Sequence, residues 1–303
     1  GLFSFSSKVY HYFRENSIKG SKDNISFHYD LGNDFYKLWL DESMTYSCGL
    51  FKKSEDTLLQ SQQNKYERIA KQLDLQPGDN LLEIGLGWGG FAEYLATHYP
   101  EVNYSGVTIS REQLNYARQR LTDRNLKKMD LQFEDYRKIE GKFNKIVSIE
   151  MIEAVGDKYL PQYFQKIDSL LTVDGVAVIQ AITCPDSRYE ELKKGTDFIQ
   201  RYIFPGSLLP SVRAMVKGCE ETSLHICDLH DIGMDYARTL NIWRKNFLEN
   251  WEEINKLGFD QTFKRKWLYY YVKDIDKHIL FLDSKSLGLA NNLSLNFYRK
   301  KNG

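Results

Sequence analysis

The chain has 303 residues, enough to bury a substantial core, and its 41 basic residues balance 41 acidic ones. That neutrality gives no electrostatic reason to favour nucleic acid over other partners. No apolar run approaches the roughly 20 residues of a membrane span, and no signal peptide is visible. Four scattered cysteines (Cys48, Cys184, Cys219, Cys227) suit a reducing, cytoplasmic compartment rather than a disulfide framework. The first residue is Gly1 rather than Met, as at an excised or processed start. Aromatics are the unusual count: 17 Phe, 20 Tyr and 5 Trp make 14% of the chain, which fits a large core or a greasy substrate pocket.

In chain order, residues 1–22 carry Leu2, Phe3, Phe5, Val9, Tyr10 and Phe13 among Ser, Lys and His, ahead of the linker Lys19-Gly20-Ser21-Lys22. This amphipathic segment reads as a helix packed on protein, with a membrane-surface helix as the alternative. Residues 23–78 read as a mostly helical lid that ends at the turn Gln76-Pro77-Gly78. From Asp79 strands and helices alternate: strands at 80–85, 103–108, 129–133, 144–150 and 175–182, helices at 88–98, 111–123 and 158–172. That rhythm implies a parallel sheet with right-handed crossovers and a ligand beyond the strand carboxyl ends.

After the core (79–183) comes a long, mainly polar and helical insert, 184–222, carrying Phe204-Pro205-Gly206. In the C-terminal part (223–303), Leu224 to Leu229 predicts a sixth strand. Helices follow at about 233–249 and 259–280, then a final edge strand from Leu287 to Tyr298. The fold class is α/β, a Rossmann-like, mostly parallel seven-stranded sheet with a helical lid and helical inserts after strands five and six. Cys219, His225, Cys227 and His230 match no zinc spacing, and their segment alternates as an ordinary strand does, so no metal is expected.

The most informative stretch is Leu82-Glu83-Ile84-Gly85-Leu86-Gly87-Trp88-Gly89-Gly90. An apolar strand stops at closely spaced glycines and a helix begins, so a ligand can lie against bare backbone at a positive helix end. Gly85, Gly87 and Gly90 also fit the dinucleotide pattern G-x-G-x-x-G. Two details speak against a nicotinamide cofactor. Glu83 precedes the turn, and the second strand ends in Gly106-Val107-Thr108-Ile109-Ser110 without the acid a dinucleotide ribose needs. Thr108 and Gln113 are neutral hydrogen-bonding substitutes, a combination that suits S-adenosylmethionine better.

The chain carries the segments Phe27-His28-Tyr29-Asp30-Leu31-Gly32-Asn33-Asp34-Phe35-Tyr36, Met44-Thr45-Tyr46-Ser47-Cys48, Glu83 to Gly90, Val107 to Gln113, Ser148 to Glu153, and Tyr236-Ala237-Arg238-Thr239-Leu240. Together, from about residue 24 to the C-terminus, they resemble the cyclopropane fatty acid synthase family of S-adenosylmethionine-dependent methyltransferases. The resemblance implies a class I methyltransferase fold. It also implies addition of a methylene across a cis double bond of a phospholipid acyl chain at the inner membrane surface. For the donor it implies Gly85 and Gly87 at methionine and ribose, Thr108 and Gln113 at ribose, and Asp135 and Tyr136 at adenine. Tyr46 and Ser47 would reach the methionine end, and Glu83, at the end of the first strand, counts among the donor-binding residues. It further implies a bound bicarbonate as base, held by the Cys48 amide, the Ile149 backbone, and the Glu153 and Tyr236 side chains. Glu153 should then hold its proton above the usual carboxylate range. Gln180 stands where well-known members carry histidine, which leaves room for simple methylation.

The alternatives are an amine N-methyltransferase, which needs no base of this kind, and a non-catalytic lipid- or cofactor-binding protein. Lys264-Arg265-Lys266 and Arg299-Lys300-Lys301 read as solvated faces before headgroup sites. Subunit number stays open, a homodimer among the options.

Overall fold

The computed structural model describes residues 31–126, 129–279 and 291–299. The amphipathic segment 1–22, the Phe27-to-Asp30 part of the first motif, and Lys300-Lys301 lie outside the described residues. The elements in chain order are α1 (Asn33–Lys37), α2 (Leu58–Gln72), β1 (Asn80–Ile84), α3 (Gly90–His98), β2 (Asn103–Thr108), α4 (Arg111–Asp123), β3 (Asp130–Phe133) and β4 (Phe143–Ile149). Then follow α5 (Leu160–Leu170), β5 (Leu171–Thr183), α6 (Asp186–Lys194), α7 (Phe198–Tyr202), α8 (Val212–Gly218), β6 (Leu224–Asp231), α9 (Gly233–Glu249), α10 (Trp251–Lys256), α11 (Gln261–Ile279) and β7 (Asn291–Arg299).

The strands form one seven-stranded sheet in the order β3-β2-β1-β4-β5-β7-β6. β1 to β5 pair in parallel, while β7 runs antiparallel to both β5 and β6. In β1, Leu81, Leu82, Glu83 and Ile84 are all buried, as a central strand covered on both faces requires. Register pairs Glu83 with Gly106. A Cβ on Gly106 would sit 2.5 Å from the Tyr104 hydroxyl, and that hydroxyl donates to Glu83 Oε2. Chain order reverses between β1 and β4, so the crevice at their carboxyl ends is where a ligand belongs in such a sheet.

Local chemistry sets the helix starts. Thr57 and Gln60 form a reciprocal capping box on α2, and the Ser110 hydroxyl accepts from the Gln113 amide at the start of α4. One sheet face packs on α5 and α8 through Tyr163, Phe164, Ile167 and Met215, and the other packs on α2, α3 and α4. A third cluster joins Phe35, Tyr36 and Trp39 to Trp243, Phe247, Trp267 and Tyr271. The lid is therefore clamped by the C-terminal helices.

Three expectations are corrected. The predicted final edge strand is interior, between β5 and β6, and Leu293, Ser294, Leu295, Asn296 and Phe297 are buried on both its faces. β6, whose residues His225, Asp228 and Asp231 are mostly polar and partly solvated, takes the edge instead. The lid is less helical than its composition suggests, since residues 38–57 between α1 and α2 carry no regular element. That stretch is fixed by side chains: Arg120 donates to the carbonyls of Glu42 and Ser43, at 2.9 and 2.5 Å, and Gln62 donates to the Ser47 carbonyl at 2.9 Å. Finally, the helix expected over 158–172 ends at Leu170, and β5 starts at Leu171 instead of 175.

Phe297 is fully buried with its ring 5.5 Å from Phe164. Phe297→Ala is expected to cost about 3–5 kcal/mol, read as a lower urea midpoint with unchanged slope.

Candidate active site

The glycine turn leaves β1 with Gly85, Gly87 and Gly89 all at positive φ (87°, 54° and 80°), conformations that L side chains rarely adopt. Gly90 serves differently from the motif reading. Its φ is ordinary, but a Cβ there would lie 2.6 Å from the Tyr66 hydroxyl, so it permits close packing of the lid. Among the described residues, nothing beyond its chain neighbours lies within 4 Å of a Cβ built on Gly87, which faces a cavity of about 540 Å³. Thr108 and Gln113 also line that cavity, linked by a Thr108 hydroxyl bond to Gln113 Oε1 at 3.1 Å. These groups fit a nucleoside-bearing donor: open backbone beside a helix start, and buried neutral side chains suited to ribose hydroxyls.

Asp135 and Tyr136 line the same cavity, Tyr136 edge-on to Tyr163 at 5.6 Å. The Asp135 carboxylate is not a bare acceptor. It takes the Arg137 amide at 3.0 Å and the guanidinium at 2.9 and 2.6 Å. Glu83 reaches the cavity floor, where burial pushes its carboxyl up to about 7 against the Tyr104 hydrogen bond.

From the lid, Tyr46 and Ser47 line the cavity. Ser47 Oγ accepts from Lys65 Nζ at 2.5 Å, a buried ammonium that the sequence did not single out. Burial lowers Lys65 to about 8, with the Glu150 charge pulling the other way. Tyr46 meets Trp243 edge-on at 5.2 Å and Phe204 at 6.1 Å, and Phe204 meets Tyr270 at 5.5 Å. Ile199, Phe204, Leu208 and Leu209 give the insert an apolar wall on this cavity. The insert read as mainly polar, yet it supplies the greasy side of the site.

Beyond the β4 carboxyl end stand two carboxyls, Glu150 and Glu153, both on the cavity wall. Glu150 holds the left-handed conformation (φ 49°), which costs a non-glycine residue on the order of 1–3 kcal/mol. Its Oε1 accepts from the Cys48 amide at 2.9 Å and from Gln180 Nε2 at 2.9 Å. Glu153 is buried, and its Oε1 accepts from the Ile182 amide, while Oε2 has no hydrogen-bond partner among the described residues. Burial, reinforced by the Glu150 charge, pushes Glu153 up to about 8.

Tyr236, at the start of α9, is buried on the same wall. Ile149 also lines the cavity, but the amide that meets Glu153 belongs to Ile182 on β5. Cys48 and Gln180 are fully buried behind Glu150 and off the cavity wall. The Cys48 amide expected to hold bicarbonate, and the Gln180 amide at the family's histidine position, therefore already end on a protein carboxylate, and like charge faces an incoming anion. The residues present do not fit that ion. The Cys48 thiol is inert as expected: burial and the Glu150 charge push it well above its ordinary range.

A family model described as Mycolic acid cyclopropane synthetase matches residues 16–277. The chain is 39% identical over 243 residues to the cyclopropane-fatty-acyl-phospholipid synthase of Escherichia coli (strain K12), covering 80% of this chain and 61% of that protein. It is 37% identical over 265 residues to tuberculostearic acid methyltransferase UfaA1 of Mycobacterium tuberculosis, covering 84% of this chain and 62% of that one. The chain thus spans about three-fifths of the length of these curated relatives. The crystal structure of mycolic acid cyclopropane synthase CmaA1 complexed with SAH and CTAB aligns with a TM-score of 0.81 at 26% identity, covering 91% of this chain and 98% of that one. Coclaurine N-methyltransferase, at 18% identity and a TM-score of 0.74 over 92% of this chain and 82% of that one, shares the fold. A matched model over most of the chain, relatives close to 40% identical and a glycine-turn sheet of the class I methyltransferase fold converge: the chain belongs to the mycolic acid cyclopropane synthetase family.

Proposed function

We propose that this chain adds a one-carbon unit from S-adenosylmethionine to the cis double bond of an unsaturated phospholipid acyl chain, giving a cyclopropane. The observation that carries this reading is the continuity of the site. One cavity is lined by the glycine turn, by a buried carboxyl pair, and by the rings of Tyr236, Trp243, Tyr270 and Phe204. When bound, the donor supplies an electrophilic methyl on a sulfonium, which a weakly nucleophilic alkene requires. The chain's own residues do the rest. The glycine turn, Thr108 and Gln113 hold the nucleoside end. The apolar insert wall excludes water from the acyl chain, and ring faces stabilise a developing cation by about 2 kcal/mol or more each. A carboxyl group beside that cation takes up the proton that ring closure releases.

Peripheral contact with the inner face of a bacterial membrane follows from a lipid substrate. No helix among the described residues is long and apolar enough to cross a membrane. Two of the basic residues considered for headgroups are occupied by rings, Lys264 over Trp251 at 4.8 Å and Lys266 over Tyr202 at 5.1 Å.

A second reading, a methyl-branched or methylene product, is favoured by the likeness to UfaA1 and to a probable fatty acid methyltransferase of Pseudomonas putida, 38% identical over 241 residues covering 78% of this chain and 61% of that protein. Methyl-labelled donor is offered with unsaturated phospholipid vesicles or with small amines. Label in the lipid, with upfield ring protons in the NMR spectrum of the product, is the expected result. Label in the amines and none in lipid overturns the assignment, and labelled lipid without ring protons selects the second reading.

A further inference from the structure

We infer that Glu150 is the proton acceptor of this site, a built-in carboxylate that does the work of a dissolved base. The inference rests on the lipid-methylation reading. It starts from the layering of the wall: Glu150 lines the cavity, whereas Cys48 and Gln180 do not. Both of those residues reach Glu150 Oε1, the Cys48 amide at 2.9 Å and Gln180 Nε2 at 2.9 Å. Gln180 Nε2 also lies 3.4 Å from the Cys48 carbonyl, which fixes the amide plane. Two N–H groups converging on one oxygen match a carboxylate, which only accepts. Cys48 and Gln180 are thereby positioning residues, holding the acceptor without touching the substrate.

The backbone supports the same conclusion. Glu150 keeps φ 49° at the carboxyl end of a central parallel strand, where glycine would sit without strain. Side-chain-bearing residues held in such strained conformations cluster at active sites, where the surroundings hold them in place. Glu153, the other carboxyl on this wall, holds its proton at neutral pH, so the pair divides into one neutral acid and one acceptor. The step balances. The alkene pair forms a C–C bond to the methyl carbon as the C–S bond breaks, and the C–S electron pair leaves with sulfur. A proton then passes from the added carbon to a Glu150 oxygen, and the vacated C–H pair closes the ring.

Parent, Glu150→Gln and Glu150→Gly are assayed in carbonate-free buffer with labelled donor and vesicles of dioleoyl phosphatidylglycerol. The parent should transfer label at a rate unchanged by added bicarbonate. Glu150→Gln should lose about 100-fold or more in kcat, the scale of a missing general base, with the donor Kd unchanged. Glu150→Gly should fold, since glycine suits this backbone, and should be restored by bicarbonate entering the vacated space. A parent that needs bicarbonate, or a Gln variant at the parental rate, overturns the inference. Carbon-13 NMR of labelled bicarbonate adds a readout independent of turnover. The parent should show the free ion alone, Glu150→Gly a bound line, and a bound line in the parent refutes the assignment. Absence of lipid labelling by the parent defeats the functional reading instead, so the two failures stay apart.

Discussion

Replacing Gly87 with valine is expected to weaken donor binding on the order of 100-fold or more while leaving the chain folded. Gly87 sits at φ 54° on the cavity wall, with no atom of the described residues, its chain neighbours aside, within 4 Å of the position a Cβ would take. A side chain there projects from the cavity wall into the space proposed for the donor. Backbone strain at a left-handed position costs a β-branched residue on the order of 1–3 kcal/mol, within reach of a stable domain. Donor affinity should fall on the order of 100-fold or more, about 2.8 kcal/mol, because the ligand must lie against this backbone. Calorimetry with S-adenosylhomocysteine, alongside a melting curve, reads both quantities. Gly87→Ala should fall between parent and Gly87→Val. Parental affinity in Gly87→Val places the donor elsewhere and removes the foundation of the site.

Much of this site was legible in the residues. β1, its glycine turn and α3 were readable because an apolar run, a cluster of glycines and a 3.6-residue period follow one another without a break. β7 was found, but its interior place was not. Sheet order is decided by which faces are covered, and the periodicity of one strand does not carry that. Lys65 escaped because Ser61, Gln62 and Lys65 read as a solvated helix face, whereas the irregular lid segment covers them and buries all three. Glu150 was seen only as a letter in the Ser148-to-Glu153 motif. The available signal was an acid directly after an apolar parallel strand, at the end where ligands bind. Ile149 was assigned through the resemblance as a backbone contact to the ion; it lines the cavity, and the amide that meets Glu153 is that of Ile182. The insert misled by composition: its scattered Ile, Leu and Phe side chains converge only once α6 to α8 fold over the sheet.

Glu153→Gln should change both the rate and the pH dependence of stability, and the signs are fixed by its environment. Glu153 is raised from 4.5 to about 8, by burial first and the Glu150 charge second. Between those values the folded chain keeps a proton that the unfolded chain has released. Stability therefore falls as pH rises through that window, by at most about 1.4 kcal/mol per pH unit for one proton. Glu83, raised to about 7, adds loss of the same sign up to that pH. Lys65, lowered from 10.5 to about 8, acts oppositely: above 8 the unfolded chain holds the extra proton, and stability climbs toward 10.5. Urea unfolding across this range should show a minimum near pH 8, and Glu153→Gln should flatten the descending side by one proton's slope. For activity, the neutral acid is the working form, so the parental kcat should fall above pH 8. The amide cannot release a proton as the neutral acid can, and kcat at pH 7 should drop about 100-fold, at the lower end of general acid–base effects. A variant with the parental rate, alkaline limb and stability slope would reduce Glu153 to a packing residue and leave the neutral-acid half of the pair without support.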